Sequence, residues 1–162
     1  MQTNSGYLLD VSGAPDQLLA ANAERGFDAA WRFDFSAPGF CLLDLGPDVD
    51  SHELRSLMLD LKERLIEVAA RRNGPRFVYR SLGRFDQQET TKFHLDGAPD
   101  RSLLLLSYEP SQVRSRLSLA DYTRCASELG MEPKHFLDEF NPMYRKGEEM
   151  LAGYVRSLVT TS

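Results

Sequence analysis

The strongest constraint on the fold of this chain is a run of apolar residues at helical spacing between residues 50 and 72. Apolar side chains recur every three or four positions, and charged residues fill much of the remainder. That period predicts an amphipathic helix with one face packed on a core. Asp50 with Glu53 has the pattern of a capping box, while Gly74 and Pro75 supply the stop. The apolar positions are Leu54, Leu57, Met58, Leu61, Leu65 and Val68.

Short apolar runs bounded by glycine or proline predict strands on both sides of this helix. Each run has the length of a strand, and some alternate large apolar with charged residues, as a half-buried strand does. A short helix is predicted at 17–24. The predicted strands cover residues 7–11, 31–35, 39–45, 76–82 and 102–108.

The last third of the chain has helical signals. Ser118 with Asp121 forms a second capping-box pattern, and Gly130 supplies a stop. Pro133 suits the first turn of a further helix, and apolar residues within 150–158 suggest a final one. Strands and one helix followed by helices indicate an α+β fold, because a doubly wound sheet would alternate the two throughout.

Size and charge narrow the function classes. With 162 residues the chain is expected to be a single domain, covering residues 1–162. A net charge of −5 argues against binding to nucleic acid. The apolar runs, such as 103–106, are far shorter than the roughly 20 residues of a membrane span. No secretory signal pattern opens the sequence, so we expect a cytoplasmic protein. The acidic charge and the short apolar runs favour small molecules or proteins as partners, and we expect a small-molecule substrate and no membrane partner.

The two cysteines, Cys41 and Cys125, are not in a CxxC spacing. Each lies in an apolar stretch that is predicted to be a strand or a helix. We therefore expect reduced, buried thiols without a chemical role.

The pattern with chemical content is His94 and Asp96 on either side of Leu95. On an extended strand, residues two apart project to the same side, so the imidazole and the carboxylate would point together. Two histidines and one carboxylate on one face of an octahedral ion leave the opposite positions open, as in non-heme Fe(II) oxygenases. Gly97 and Pro99 would end the strand and leave the pair at a rim. The tripeptide thus predicts half of a metal site.

Two other interpretations of this region stay open. His94 could be a hydrogen-bonded strand histidine, with Asp96 capping the turn into Gly97. Alternatively, a cluster of acidic residues near His94 could hold Mg²⁺ or Mn²⁺ for a phosphoryl reaction. That cluster consists of Asp86, Glu89, Asp96 and Asp100.

Residues 84–111 place an aromatic residue before His-x-Asp and an apolar run after a short Gly/Pro turn. This segment resembles the first metal-binding motif of the Fe(II)/2-oxoglutarate-dependent dioxygenase superfamily, of the clavaminate synthase and taurine dioxygenase type. The helix at 50–72 also resembles the helix that backs the jelly roll in those enzymes, so the similarity covers about residues 39–111.

The resemblance implies an iron oxygenase built on a partial jelly-roll sheet, the double-stranded β-helix, backed by the long helix. It implies Fe(II) as the metal and 2-oxoglutarate as the cosubstrate. His94 and Asp96 would be iron ligands. Residues that would contact the cosubstrate or substrate are Thr90, Thr91 and Tyr108.

The chain departs from the family pattern downstream of the motif. Family members carry a distal histidine on a late strand, followed by an arginine that pairs with 2-oxoglutarate. Here 68 residues (162 minus 94) follow His94, and the remaining histidines, His52 and His135, are expected on helix surfaces. Arg145 and Arg156 are expected to be solvated helix residues. The third ligand is then an unidentified residue or another chain, or the protein is a shortened relative without the reaction.

The rival hypothesis is a catalytically inactive α+β interaction or dimerisation module. A sheet that later strands do not close leaves exposed edges, and these favour pairing with another protomer. A homo-oligomer is therefore included among the expected partners.

Overall fold

The computed structural model describes residues 8–10, 15–46, 48–72, 76–80, 83, 91–97, 101–109 and 115–160. These residues contain both helices and strands, in agreement with the predicted α+β class. The helices are α1 (Pro15–Ala30), α2 (Ser51–Arg71), α3 (Tyr122–Glu128), α4 (Pro133–Glu139) and α5 (Arg145–Leu151), with a 3₁₀ turn at Ala152–Tyr154. The strands are β1 (Leu8–Asp10), β2 (Leu42–Asp44), β3 (Ser115–Ala120) and β4 (Val155–Thr160).

The chain divides into two compact units. The first holds the described residues up to 80 together with 103–109, and the second holds the rest. Within the described residues each unit carries one two-stranded sheet, parallel β1–β2 in the first and antiparallel β3–β4 in the second. The jelly roll implied by the resemblance stays a prediction, as does the single domain over 1–162.

Helix α2 forms as its sequence predicts. The Asp50 carboxylate accepts hydrogen bonds from the backbone N–H groups of His52 and Glu53, each at 2.8 Å. These bonds satisfy donors that the first helical turn leaves free, and they lower the pKa of Asp50. The predicted apolar stripe faces inward, with these residues buried: Leu54, Leu57, Leu65, Val68 and Ala69.

Helix α1 is longer than the predicted helix at 17–24, and the strand predicted at 31–35 is wrong. The Trp31 N–H donates to the Phe27 carbonyl at 2.7 Å, so helical hydrogen bonding continues past Ala30. Phe27 and Trp31 are neighbours on one helix face, with ring centroids 6.1 Å apart. The spacing of aromatic residues that suggested strand alternation belongs partly to a helix and partly to the bends after it.

The first unit has its main core between α1 and α2. Ala23 and Phe27 of α1 pack with Leu65, Val68 and Ala69 of α2. Partly buried residues from outside the helix pair complete this cluster; they include Trp31, Phe77, Leu103 and Leu105.

The strands predicted at 76–82 and 102–108 are not part of either sheet in the residues that the structure describes there. In the second segment burial alternates as it would on a strand, because Leu103 and Leu105 pack on the core while Leu104 is 55% exposed. In the first segment Phe77 packs on the core, but Tyr79, two residues further on, is 51% exposed, so the alternation does not continue.

The C-terminal third is not wholly helical, because strands β3 and β4 enclose its helices. The Ser118 capping box is wrong, since Ser118 lies in β3 and its hydroxyl is 3.0 Å from that of Ser157 across the ladder. The carboxylate of Asp121 caps α3 instead, accepting from the Arg124 N–H at 3.1 Å. The final helix predicted within 150–158 stops at Leu151, and the β-branched residues that follow favour β4.

The three short helices share one core. Phe136 is fully buried, with Cys125, Ala126 and Leu151 around it. Gly130, at φ +67°, follows the end of α3 as predicted, and Pro133 is the first residue of α4.

No helix in the described part of the chain is both long and apolar enough to cross a membrane.

Candidate functional site

His94 and Asp96 lie in the second unit, in residues 91–97. Residues 91–97 pair with no strand in the described part of the chain, so the strand expected there is not formed by them. The two side chains nevertheless converge, with 3.3 Å between His94 Nε2 and Asp96 Oδ1. Both are half-exposed, at 45% and 49%, so the pair is open to solvent. An irregular loop, rather than the strand periodicity, therefore brings the imidazole and the carboxylate together.

The imidazole of His94 is held by its other ring nitrogen. His94 Nδ1 is 2.7 Å from the carbonyl oxygen of Lys92, and a carbonyl can only accept a hydrogen bond. The ionised carboxylate of Asp96, which faces Nε2, can likewise only accept. A neutral ring that carries its hydrogen on Nδ1 donates it to Lys92 and leaves the Nε2 lone pair facing Asp96. A ring nitrogen bonded to a carbonyl in this way is the usual support of a metal-binding histidine.

A lone pair on nitrogen and a carboxylate oxygen repel each other unless a proton or a cation lies between them. An ion about 2.1 Å from both His94 Nε2 and Asp96 Oδ1 would see them about 104° apart, which is wider than the angle between adjacent octahedral ligands and closer to the tetrahedral angle. The pair can therefore act either as an ion pair of protonated His94 with Asp96 or as two ligands of one divalent cation.

The other predicted site residues are distributed over the chain. Thr91 lies in the same segment as His94 and is exposed. Thr90 lies outside the described residues, and Tyr108 belongs to the first unit. Across the described ranges, no group of three or more His, Cys, Asp or Glu residues could hold a metal. Of the predicted acidic cluster, Asp86, Glu89 and Asp100 lie outside the described residues.

The other histidines, and the two arginines that follow them in the sequence, lie on helices or strands outside the segment 91–97. His52 is exposed in the first turn of α2, and His135 is exposed on α4, as predicted. Arg145 is 91% exposed and donates to Glu149 at 2.7 Å. Arg156 lies on β4 rather than on a helix.

The cysteines are free thiols, as predicted, and Cys125 is 1% exposed while Cys41 is half-buried. Burial raises the pKa of both thiols, because removal from water disfavours the thiolate. The thiolate is the nucleophilic form, so neither cysteine is suited to nucleophilic chemistry.

A polar cluster that sequence reasoning missed joins α3 to the 3₁₀ turn. Glu128 accepts from the Tyr154 hydroxyl at 2.7 Å and from Arg124 Nε at 2.9 Å. The bond to the carboxylate raises the pKa of Tyr154 to about 12, and both bonds lower the pKa of Glu128. Arg124 and Glu128 have a recognisable helical spacing, but nothing local in the sequence indicates Tyr154 as a partner.

This cluster gives a pH-dependent contribution to stability. Because folding raises the pKa of Tyr154 from 10.0, its contribution is complete below about pH 10 and is lost as the pH rises towards 12. Folding lowers the pKa of Glu128 from 4.5, so the contribution of Glu128 to stability is present above pH 4.5 and is lost as the pH falls below 4.5. We expect Tyr154→Phe to lower the free energy of unfolding by a constant amount between about pH 5 and 10, and by less at pH 11. Urea denaturation of both proteins at pH 8 and pH 11 measures this; an equal difference at the two values would contradict it.

A cavity of about 260 Å³ lies in the first unit, between α1 and the bends after it. Phe27, Trp31 and Phe33 supply an aromatic wall. Arg72 borders it but is engaged by an ion pair with Asp28. The same lining carries Asp28, Arg32 and Asp34, so the cavity combines an aromatic wall with charged groups.

Comparison of the chain with protein-family models, with curated proteins and with solved structures finds no match.

Proposed function

We propose that this protein binds a divalent metal ion through His94 and Asp96, as an Fe(II)/2-oxoglutarate-dependent oxygenase-like protein. The observation that carries the proposal is the 3.3 Å approach of His94 Nε2 to Asp96 Oδ1, with Nδ1 bonded to a backbone carbonyl. At this separation one ion can contact both Nε2 and Oδ1, which is a requirement for two adjacent ligands of an ion.

The donor chemistry fits two of the three protein ligands that such an iron site needs. A neutral imidazole and a carboxylate are the donors of the facial triad, and Fe(II) accepts both. The ligand that the triad still needs is a second histidine, which an unidentified residue or a second chain would have to replace or supply. The partial jelly-roll sheet and the cosubstrate contacts of Thr90, Thr91 and Tyr108 belong to this same proposal.

The chain contributes binding and orientation. The Lys92 carbonyl fixes the ring of His94, and the half-exposed position of the pair gives 2-oxoglutarate and a small-molecule substrate access from solvent. Iron with 2-oxoglutarate supplies the oxidising chemistry, and the protein orients these groups and shelters them.

An anaerobic titration tests the proposal. The protein is titrated with Fe(II) and then with 2-oxoglutarate, and the visible spectrum is recorded at each addition. We expect a weak metal-to-ligand charge-transfer band that saturates with the cosubstrate. Metal binding without that band would contradict the oxygenase assignment, and no metal binding at all would leave the pair as an ordinary ion pair.

A second candidate function is a catalytically inactive dimerisation module. The observation that favours it is the outer leucine face, formed by Leu104 and Leu106, which are 55% and 56% exposed. Their neighbours Leu103 and Leu105 pack on the core, so the segment presents an apolar row outward. Two copies of one such row can pair about a two-fold axis, the commonest symmetry of homo-oligomers.

Self-association through the outer leucine face is measured by light scattering across a range of protein concentrations. The module predicts a dimer whose dissociation constant rises at least about 10-fold in Leu104→Asp, because a charge would be buried in the interface. Leu129→Asp is the matched control, since Leu129 is 47% exposed on the second unit. A monomer at all concentrations, or equal effects of the two variants, would contradict this candidate.

A further inference from the structure

Lys92 forms hydrogen bonds within the second unit through both its backbone carbonyl and its side-chain ammonium. Its carbonyl accepts from His94 Nδ1 at 2.7 Å, and its ammonium donates to the carbonyl of Met143 at 3.2 Å. Met143 lies in the connection between α4 and α5, so the side chain of Lys92 joins the His-x-Asp segment to the helical core.

We infer that Lys92 is a positioning residue for His94, and that its side chain sets the orientation of the metal-binding nitrogen. Residues 91–97 form no strand with any other described residues. Side-chain contacts such as the hydrogen bond from Lys92 to Met143 therefore help to hold the backbone of this segment in place. When the ammonium holds the residue against the Met143 carbonyl, the Lys92 carbonyl is in place to select the Nδ1–H tautomer. Nε2 is then left as the ligand. The effect of Lys92 on metal affinity rests on the proposed metal site, whereas the tautomer of His94 can be observed in the metal-free protein.

The first readout uses the metal-free protein. ¹⁵N NMR of the imidazole distinguishes Nδ1–H from Nε2–H rings, so it reports the tautomer of His94 directly. At a pH where the imidazole is neutral, we expect a predominantly Nδ1–H ring in the wild-type protein and a mixture in Lys92→Met. Lys92→Arg should restore the wild-type pattern, because a guanidinium can also donate to the Met143 carbonyl. Loss of packing alone would not select one ring nitrogen.

The second readout is the affinity for Mn²⁺, measured by calorimetric titration. Outer-shell partners of ligating histidines typically change metal affinity about 10- to 100-fold, so we expect about a 10-fold loss in Lys92→Met. Lys134→Met on α4 is the matched control, since it removes the same charge from an exposed position. Loss of a nearby positive charge by itself would strengthen cation binding, so a weaker affinity cannot arise from charge.

The two readouts separate the inference from the proposed function. If the wild-type protein binds no Mn²⁺, the metal site fails, and the NMR comparison alone decides the role of Lys92. An Nε2–H ring in the wild-type protein would overturn the inference, as would an unchanged tautomer in Lys92→Met. So would equal Mn²⁺ affinities of Lys92→Met and Lys134→Met in a protein that binds the ion.

Discussion

Replacing His94 with alanine is expected to abolish the charge-transfer band with Fe(II) and 2-oxoglutarate and to weaken Mn²⁺ binding by at least about 100-fold. The loss of a ligand should exceed the 10- to 100-fold effect typical of residues that only support one. Because the His94 side chain is 45% exposed, its removal should change the free energy of unfolding by less than about 0.5 kcal/mol. Calorimetric titration and urea denaturation of the same preparation measure both quantities.

Two further variants make the experiment specific. His135→Ala removes an exposed histidine from α4 in the same unit and should bind Mn²⁺ as the wild-type protein does. Asp96→Asn keeps the size of the side chain but removes the charge of a direct ligand, so we expect a loss of affinity above the roughly 10- to 100-fold effect of supporting residues. Equal affinities of the His94 and His135 variants would refute the metal site and leave the ion pair of His94 with Asp96.

The sequence was informative wherever the local pattern and the tertiary packing agreed. Asp50 begins α2 because a carboxylate at that position satisfies free N–H groups whatever surrounds the helix. This cap depends only on neighbours within a few residues. Alternation was a weaker guide, because Phe77 packs on the core whereas Tyr79, two residues further on, is 51% exposed.

The failures arose where distant residues decided the structure. Ser118 has the residue type of a helix cap, but pairing with Ser157, 39 residues away, makes it part of a strand. The pair His94 and Asp96 was identified from its spacing on an assumed strand. Its actual geometry depends on the Lys92 carbonyl, and no periodicity predicts that contact. The candidate site was therefore predictable in composition and not in conformation.

Replacing Gly147 with alanine is expected to destabilise the protein by about 3 kcal/mol, near the upper end of the usual cost of overpacking. Gly147 is buried in α5, and a Cβ there would overlap the backbone carbonyl oxygens of Phe140 and Asn141. Backbone atoms cannot rotate away as a side chain does, so α5 would have to shift from the turn that precedes it. Such a shift would also disturb Phe136 and Leu151 at the centre of that core. Urea denaturation gives the difference directly.

Gly153→Ala is the matched control, because Gly153 is exposed and nothing lies within 4 Å of the position that a Cβ would occupy there. The φ of Gly153 is not in the left-handed region, so alanine fits there without strain. Alanine also lowers the conformational entropy of the unfolded chain, so the variant should be as stable as the wild-type protein or more stable by up to about 1 kcal/mol. The two glycines are six residues apart in sequence and differ in what surrounds them. A loss of similar size in both variants would show that helix propensity or chain entropy, rather than the contact with Phe140 and Asn141, determines the effect. A near-neutral Gly147→Ala would mean that α5 does not pack against that turn as closely as its carbonyl contacts require.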